Sequence, residues 1–251
     1  EGIDFYAAIG FLRKLGMQPI IVHGGGPQID EVLKQMGLAC QFYKGRRITP
    51  LPIMNVVEMV LAGRVNKGLI TEFIKRNICV AGLSGKDAGL MIAKKYHLPV
   101  KEPNGEEVDL GFVGEAEDVN VFLLKLLLEN NVTPVLASIA ADRAGQSYNI
   151  NADSFAASIA VKCATKHLIF LTDVDGIRTK EGLLCKTLHY KQILSYIADG
   201  TISAGMIPKA EAALKALSEG VQMVSILNGR SAEFLVKAAL EPGSAGTMIV
   251  A

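Results

Sequence analysis

The chain has 251 residues, of which 50% are hydrophobic, and its formal net charge is +1 at pH 7. This length is enough for one large α/β domain, or two small ones, with a sizeable core. The balanced charge gives no electrostatic support for binding to nucleic acid or a membrane surface, and no apolar run reaches the length of a membrane span. The four cysteines are widely spaced and the four histidines do not cluster with them. We therefore expect reduced thiols, a cytoplasmic protein and no zinc site.

The first predicted elements surround three consecutive glycines. An apolar helical pattern covers residues 5–15, and a β-favouring run then leads into the glycines at 24–26. A helix is predicted over 27–36, with Pro27 at its first position. Glycines let a ligand approach the bare backbone, and a helix N-terminus favours an anion. The turn indicates an anion site, unless it is an ordinary strand-to-helix connection.

Predicted strands and helices alternate along the rest of the chain. The amino-terminal half continues with a hairpin at 40–49, a long helix over 51–76, a strand over 77–83, hairpins between 93 and 114 that include the Pro-Asn-Gly turn at 103–105, and a helix over 118–129. The carboxyl-terminal half contains a strand over 133–140, a polar loop from 147 that leads into an alanine-rich helix, a strand over 167–173, helices over 190–199 and 209–220, a strand over 223–227, a helix over 232–240 and a strand over 247–250. Buried strands without polar alternation predict an α/β fold with a parallel sheet covered on both faces. Such sheets bind ligands at the carboxyl ends of their strands.

Two glycine-bearing motifs at strand ends are candidates for phosphate binding. HGGGPQ at 23–28 lacks both the Gly-Lys-Ser/Thr of a Walker loop and the spacing of a dinucleotide-binding GxGxxG. SGKD at 84–87 has aspartate where the magnesium-binding hydroxyl of a Walker loop belongs. From the residues alone, HGGGPQ is a generic cradle for an oxyanion or phosphate.

The segment Asn-Ile-Asn-Ala-Asp at 149–153 precedes an apolar helix. A residue of this kind caps a helix N-terminus, but one is enough for that purpose. Either the whole segment is a cap, or Asn149 binds a substrate while Asp153 orients a cation, a lysine or magnesium.

Two further motifs lie in the carboxyl-terminal half. Pro208 is predicted to start a helix, which puts Lys209 in the first turn, where the helix dipole disfavours a positive charge. Lys209 is then either a solvated surface residue or the partner of a nearby anion. The segment at 172–176, Thr-Asp-Val-Asp-Gly, is either a plain turn or the border of a nucleotide site.

Taken together, these motifs resemble the amino acid kinase family. The matching segments are VHGGGPQID, GRRITP, VVEMVLAGRVNK, GLSGKD, DLGFVGE, YNINAD, LTDVDGI and GMIPKAEAAL. The resemblance covers nearly the whole chain and implies an α/β fold, a three-layer αβα sandwich around a mainly parallel central sheet. It also implies a single domain over 1–251, with an acidic-substrate lobe at about 1–145 and a nucleotide lobe at about 146–251.

The resemblance implies ATP-dependent phosphorylation of the γ-carboxylate of N-acetyl-L-glutamate in arginine biosynthesis. Mg²⁺ is expected to accompany ATP, without assigned protein ligands. A homodimer, or a higher homo-oligomer, is expected to form through the long helix at 51–76.

Residue roles follow from the same resemblance. The backbone of Gly25 and Gly26 meets the substrate and the transferred phosphoryl group. Arg47 clamps the α-carboxylate, as a guanidinium can by bidentate hydrogen bonding, although on the residues alone it could be a surface arginine of a hairpin. Asn149 binds the acetylamino portion. The catalytic pair is Lys209, which stabilises charge on the phosphoryl group, and Asp153, which orients lysines. The nucleotide-binding residues are Asp173, Val174, Asp175, Gly176, Ile177, Arg178, Thr201, Ile202 and Ser203.

The sequence departs from the family pattern at its start. The family opens with a strand that carries a lysine and paired glycines, whereas this sequence begins inside the helix that should follow. We expect the natural protein to have this strand. Smaller departures are Asn228, where histidine or aspartate often precedes Gly-Arg, and Ala204, which replaces a glycine.

Two alternative functions stay open. One is a non-catalytic, arginine-sensing domain like that of N-acetylglutamate synthases, which would explain a missing lysine strand but need not keep NINAD and the lysine of GMIPK. The other is a kinase for an aminoadipate-type substrate.

Overall fold

The structure, a computed structural model, describes residues 4–98, 108–203 and 205–251. The chain forms two units. One is Ile20–Phe155, and the other is Ala156–Ala251 together with the segment that ends at Pro19. We refer to them as the 20–155 unit and the 156–251 unit. The lobes at about 1–145 and 146–251 stay a prediction.

Helices and strands alternate along the chain. Up to residue 98 the elements are α1 (Phe5–Lys14), β1 (Ile21–His23), α2 (Gly26–Gln35), β2 (Phe42–Tyr43), β3 (Arg46–Arg47), α3 (Leu51–Glu58), a π-helical segment (Met59–Val65), α4 (Asn66–Ile74), β4 (Val80–Ser84) and β5 (Met91–Lys95). From residue 108 they are β6 (Val113–Val119), α5 (Phe122–Glu129), β7 (Thr133–Ala137), β8 (Ile139–Ala141), β9 (Ser147–Ile150), α6 (Ala152–Lys162), β10 (His167–Thr172), β11 (Thr187–His189), α7 (Tyr190–Ala198), α8 (Met206–Ser218), β12 (Met223–Asn228), α9 (Ala232–Leu240) and β13 (Thr247–Val250).

The 20–155 unit is built on a parallel sheet with the strand order β1-β7-β4. All five residues of the central strand β7 are buried, which explains its continuous apolar sequence. A core cluster joins apolar residues of α2, α3 and the π-helical segment to Ala137 and Ile139. The carboxyl end of β1 leads directly into the glycine turn, as predicted.

The remaining strands of the 20–155 unit correct three predictions. The strand predicted over 133–140 is broken at Ser138, and its second part, β8, joins a closed barrel with β5, β6 and β9. The polar segment predicted as a loop from residue 147 forms β9, which pairs with β8. The helix predicted from residue 118 starts at Phe122, because Asp118 pairs with Ile92 inside the barrel.

Two expectations in this unit concern connections. The hairpin predicted at 40–49 is formed by β2 and β3. Strands β5 and β6 pair antiparallel around the segment that contains Pro-Asn-Gly, although residues 103–105 themselves lie outside the described residues.

The long helix predicted over 51–76 forms without a break from Leu51 to Ile74, but its middle is a π-helix. A π-helix has i→i+5 hydrogen bonds and recurs at functional sites. Within the described residues, none of the helices combines the length and apolar character that crossing a membrane requires.

The 156–251 unit contains a second sheet with the order β10-β12-β13-β11. β10 and β12 are parallel, as are β11 and β13, whereas β12 and β13 are antiparallel. Along β10, Leu168 and Phe170 share a core with α8, while Ile169 and Leu171 pack with Phe234 of α9. Successive side chains of a strand point to opposite faces, so helices cover both faces of this sheet, as predicted.

Candidate active site

The glycine turn connects β1 to α2 in the 20–155 unit. Gly25 is the N-cap of α2, and a Cβ atom there would lie 2.8 Å from Cδ2 of Leu61 and 3.0 Å from Cγ2 of Val65. The π-helical segment therefore packs directly against this glycine. A Cβ at Gly26 would be 4.0 Å from its nearest contact, Nη2 of Arg47, so the opposite side of the turn is more open. The helix starts at Gly26, which makes Pro27 its second residue rather than the predicted first.

Arg47 is not a surface arginine, because its side chain is only 6% exposed. Its Nη1 donates to Oδ1 of Asp30 at 2.6 Å and to Sγ of Cys40 at 2.9 Å. Its Nη2 faces the carbonyl oxygen of Gly26 at 3.4 Å, and its guanidinium lies 4.6 Å from the ring centre of Phe42. Asp30 fixes one edge of the guanidinium and leaves Nη2 directed at the glycine turn.

Asn149 is connected to Arg47 through the buried residue Thr49. The Nδ2 of Asn149 donates to Oγ1 of Thr49 at 3.3 Å, and that hydroxyl donates to the carbonyl oxygen of Arg47 at 2.7 Å. The backbone of Phe112 donates to Thr49 and accepts from Asn149. The structure thus brings Gly26, Arg47 and Asn149 together, although they lie far apart in the sequence.

Asp153 is the second residue of α6. The capping role in this segment belongs to Asn151, whose Oδ1 accepts from the backbone N–H of Ser154 at 3.1 Å. A Cβ at Gly24 would be 3.4 Å from Cβ of Ala152, so the helix that carries Asp153 begins beside the glycine turn. Of the two interpretations of NINAD, pure capping therefore accounts for Asn151 and not for the whole segment.

The predicted nucleotide segment after β10 is ordered around Asp175 and Gly176. Asp175 accepts from Nδ2 of Asn228 and from Nη2 of Arg178, each at 2.9 Å, and these hydrogen bonds lower the pKa of its carboxyl group. Gly176 has φ +146, and a Cβ there would lie 2.5 Å from Oγ1 of Thr247. This position therefore requires glycine.

The other residues of this segment differ in exposure. Asp173, Val174 and Arg178 are exposed, whereas Ile177 is buried and donates its backbone N–H to Oγ1 of Thr247 at 2.9 Å. Exposed side chains around a fixed backbone suit a segment that meets a ligand.

The second predicted nucleotide segment follows α7. Oδ1 of Asp199 accepts from the backbone N–H of Thr201 at 2.9 Å and from its hydroxyl at 2.6 Å. Ile202 is buried, and Ser203 is exposed. An ion pair of 3.2 Å between Lys180 and Asp199 joins the chain just after the first segment to the start of the second. The two segments are thus neighbours in the 156–251 unit.

Lys209 is the fourth residue of α8, because this helix begins at Met206 and not at Pro208 as predicted. Its side chain is half-buried, and its Nζ lies 5.6 Å from the ring centre of the buried residue Phe170. A fully solvated lysine does not fit this environment. Lys209 belongs to the 156–251 unit, and its placement against the residues of the 20–155 unit stays a prediction.

Three polar residues of this region were not predicted from the sequence. Asp30 orients Arg47, and His23 and Asn66 lie behind the glycine turn, 3.0 Å apart between Nε2 and Nδ2. All three lay inside the quoted motifs, but nothing in a single sequence distinguishes them from their neighbours. Within the described residues, no group of three or more His, Cys, Asp and Glu side chains is arranged to hold a metal ion.

Comparisons with known proteins identify the family of this chain. The model of the amino acid kinase family matches residues 4–228. Acetylglutamate kinase from Rhizobium rhizogenes is 45% identical over 252 residues, which cover 99% of this chain and 85% of that protein.

Solved structures share the fold and confirm the predicted fold class. The structure of smu.665 from Streptococcus mutans UA159 matches with a TM-score of 0.81 and 28% identity, covering 98% of this chain and 91% of that chain. N-acetylglutamate synthase from Neisseria gonorrhoeae, complexed with coenzyme A and N-acetyl-glutamate, matches with a TM-score of 0.83 over 98% of this chain and 55% of that chain. Its 23% identity shows the fold alone. The chain belongs to the amino acid kinase family.

Proposed function

We propose that this protein transfers the γ-phosphoryl group of ATP to the γ-carboxylate of N-acetyl-L-glutamate, the acyl phosphate step of arginine biosynthesis. The observation that carries the proposal is the 45% identity to an acetylglutamate kinase over 99% of the chain. Membership of a kinase family implies the use of ATP. The arrangement in the 20–155 unit supports a carboxylic acid as the acceptor.

The acceptor is proposed to bind at the glycine turn. Arg47 offers a buried guanidinium, held by Asp30 and directed at Gly26, and a guanidinium is suited to an α-carboxylate. Asn149, linked to Arg47 through Thr49, offers amide hydrogen-bonding groups for the acetylamino portion. The N-terminus of α2 at Gly25 and Gly26 favours negative charge.

The chemistry needs no general base, because the nucleophile is already an anion. A carboxylate oxygen forms a bond to the γ-phosphorus while the bond from that phosphorus to the β–γ bridging oxygen breaks, and ADP leaves. The protein must hold two negative groups together and neutralise the charge on the phosphoryl oxygens. We assign charge neutralisation to Lys209 and to the backbone N–H groups of Gly25 and Gly26, and the orientation of lysines to Asp153. Mg²⁺ that enters with ATP would screen the charge of the triphosphate.

ATP is proposed to bind the two segments that the ion pair between Lys180 and Asp199 holds together. Their nucleotide-binding residues are Asp173, Val174, Asp175, Gly176, Ile177, Arg178, Thr201, Ile202 and Ser203. The hydrogen bonds to Asp175 from Asn228 and Arg178 give the first segment a fixed shape.

We also propose a cytoplasmic homodimer or higher homo-oligomer. None of the four cysteines, all of which lie within the described residues, is in a disulfide, as is usual in a reducing compartment. The long helix leaves Leu51, Met59 and Ile74 more than half exposed, at 51%, 57% and 62%, which suits a helix that packs against another subunit. Light scattering tests the assembly. A dimer that a Met59→Lys substitution dissociates supports the proposal, and a monomeric wild type contradicts it.

Trapping of the acyl phosphate with hydroxylamine tests the function. Purified protein, ATP and Mg²⁺ are incubated with N-acetyl-L-glutamate, glutamate, aspartate or aminoadipate, and hydroxamate is measured. We expect product with N-acetyl-L-glutamate above all. Product with aminoadipate instead would assign the alternative substrate, and absence of product with every acceptor would support a non-catalytic domain.

Two variants connect the activity to the proposed residues. Lys209→Ala should lower kcat by roughly 10²–10³ with a smaller change in KM, because it removes one contact to transition-state charge. Arg47→Ala should chiefly raise KM for N-acetyl-L-glutamate. Near-normal turnover of the Lys209 variant would remove that lysine from the catalytic residues.

A further inference from the structure

Asn66 is a buried polar residue behind the glycine turn. It is 1% exposed and begins α4, directly after the π-helical segment. Its Nδ2 lies 2.9 Å from the carbonyl oxygen of Val135, 3.0 Å from Nε2 of His23 and 3.4 Å from the carbonyl oxygen of Leu83. These partners belong to β7, β1 and β4. One side-chain amide therefore contacts all three strands of the parallel sheet.

The orientation of this amide follows from its other neighbour, Lys67. Nζ of Lys67 lies 3.1 Å from Oδ1 of Asn66 and 2.9 Å from the carbonyl oxygen of Gly82. An ammonium group can only donate and a carbonyl oxygen can only accept. The amide oxygen must therefore face Lys67, and the amide nitrogen must face Val135 and His23.

The amide orientation fixes the tautomer of His23. Because Asn66 donates to Nε2, this nitrogen accepts, and the ring proton is on Nδ1. Nδ1 then donates to the carbonyl oxygen of Gly24 at 2.9 Å. Burial lowers the pKa of His23, which favours this neutral ring.

The space for Asn66 is kept open by Gly82 in β4. A Cβ at Gly82 would overlap Oδ1 of Asn66 and would lie 2.9 Å from both Nζ of Lys67 and Cγ1 of Ile70. The close approach of α4 to the sheet thus depends on a residue without a side chain. This packing leaves Asn66 little freedom to turn away from His23.

We propose that Asn66 is a positioning residue for phosphoryl transfer, because through His23 it fixes the carbonyl group of Gly24 and hence the conformation of the glycine turn. This inference rests on the proposed function, in which the backbone of Gly25 and Gly26 meets the acceptor and the transferred phosphoryl group. Asn66 acts through His23 and Gly24 and needs no contact with the substrate.

The first test measures the tautomer in the wild-type protein. The ¹⁵N chemical shifts of the histidine rings at pH 7 distinguish Nδ1–H, Nε2–H and the imidazolium form, and the spectrum of a His23→Gln variant identifies the signals of His23. We expect the neutral Nδ1–H tautomer. Either of the other two forms in the wild type overturns the proposal.

The second test uses Asn66→Asp, whose carboxylate can only accept a hydrogen bond. We expect Nε2 of His23 to donate to this carboxylate, so that the neutral ring no longer carries the Nδ1 proton that is donated to Gly24. The glycine turn then loses its support, and kcat should fall at least 10-fold, since a displacement of about 1 Å at a reacting group costs up to 10²-fold. KM for ATP should stay within twofold. Asn120→Asp is the matched control, because Asn120 is exposed, its Oδ1 accepts from the backbone N–H of Phe122 as an aspartate also can, and the substitution adds the same charge. We expect wild-type kcat and an unchanged His23 spectrum for this control.

The results distinguish a failure of this proposal from a failure of the proposed function. A folded Asn66→Asp variant with wild-type kcat overturns the proposal. If this variant does not fold, His23→Phe replaces it, since it keeps an aromatic side chain but removes both ring nitrogens, and full activity of that variant overturns the proposal. A wild type that gives no hydroxamate contradicts the proposed function, whereas the His23 tautomer still decides whether Asn66 holds the glycine turn.

Discussion

Two of the three glycines after β1, Gly25 and Gly26, are predicted to differ in what an added methyl group does to them. Gly25→Ala places Cβ 2.8 Å from Leu61 and 3.0 Å from Val65, whereas the Cβ of Gly26→Ala meets nothing closer than 4.0 Å. We expect Gly25→Ala to destabilise the fold. Gly26→Ala should leave stability almost unchanged and impair substrate binding instead.

The loss of stability expected for Gly25→Ala follows from the rigidity of its two neighbours, Leu61 and Val65. Leu61 is 1% exposed, and a valine in a helix has essentially one allowed χ1 rotamer, so neither can move aside freely. Overpacking of this kind costs about 1–3 kcal/mol. For Gly26→Ala we expect a change within about 0.5 kcal/mol and a roughly 10-fold rise in KM for N-acetyl-L-glutamate, because the methyl group points towards Nη2 of Arg47.

Urea unfolding of both variants, monitored by circular dichroism, measures the difference in their free energies of unfolding. Gly25→Ala/Val65→Ala provides the internal control, because the second substitution removes the Cγ2 atom in the way. The double variant should be more stable than the sum of the single effects predicts, by about 1 kcal/mol. Equal stability of Gly25→Ala and Gly26→Ala would refute the close packing of the π-helical segment against the turn.

Three further predictions concern other parts of the chain. Burial lowers the pKa of His167 to about 4 from 6.5. The contribution of His167 to the free energy of unfolding should therefore be constant above pH 6.5 and fall by at most about 3 kcal/mol between pH 6.5 and 4. In a pH series of urea unfolding, His167→Gln should remove this loss. Gly176→Ala should be less stable and raise KM for ATP more than Gly182→Ala, since both have positive φ but only Gly176 lacks room for a Cβ; equal effects would contradict this. Asp30→Asn should raise KM for N-acetyl-L-glutamate several-fold with little change in kcat, because Arg47 loses a charged partner at 2.6 Å; unchanged steady-state kinetics would show that Asp30 does not orient it.

Elements with a clear period and clear ends could be predicted from the sequence. The helix at Ala232–Leu240 and the strand at Thr247–Val250 have the predicted bounds. The break at Ser138 could not be predicted, because an apolar run gives no sign that its second half joins another sheet. The strand β9 was missed since SYNI is polar at alternate positions, which suits both a loop and a barrel strand. The widened turns of the π-helical segment leave no signature in MVLAGRV.

Only part of the candidate site could be predicted from the sequence, because its residues are joined by contacts between distant parts of the chain. Asn149 was a candidate from its own motif and Arg47 from the family resemblance, and the link between them through Thr49 depends on contacts across 100 residues of chain. Asn66 contacts a carbonyl group 69 residues away. Long-range hydrogen bonds of buried polar groups depend on the fold and not on local composition.

The π-helical segment sets the angular phase of the chain that follows it. Each residue of an α-helix advances the helix by about 100°, whereas the wider i→i+5 turns of a π-helix advance it by less. If the seven residues from Met59 to Val65 took up ordinary α geometry, they would therefore rotate α4 as a whole. Asn66 would then swing away from the three strands that it joins, although every residue of the chain was retained. The π-helical geometry of this segment is therefore as constrained as the chemistry of any side chain near it.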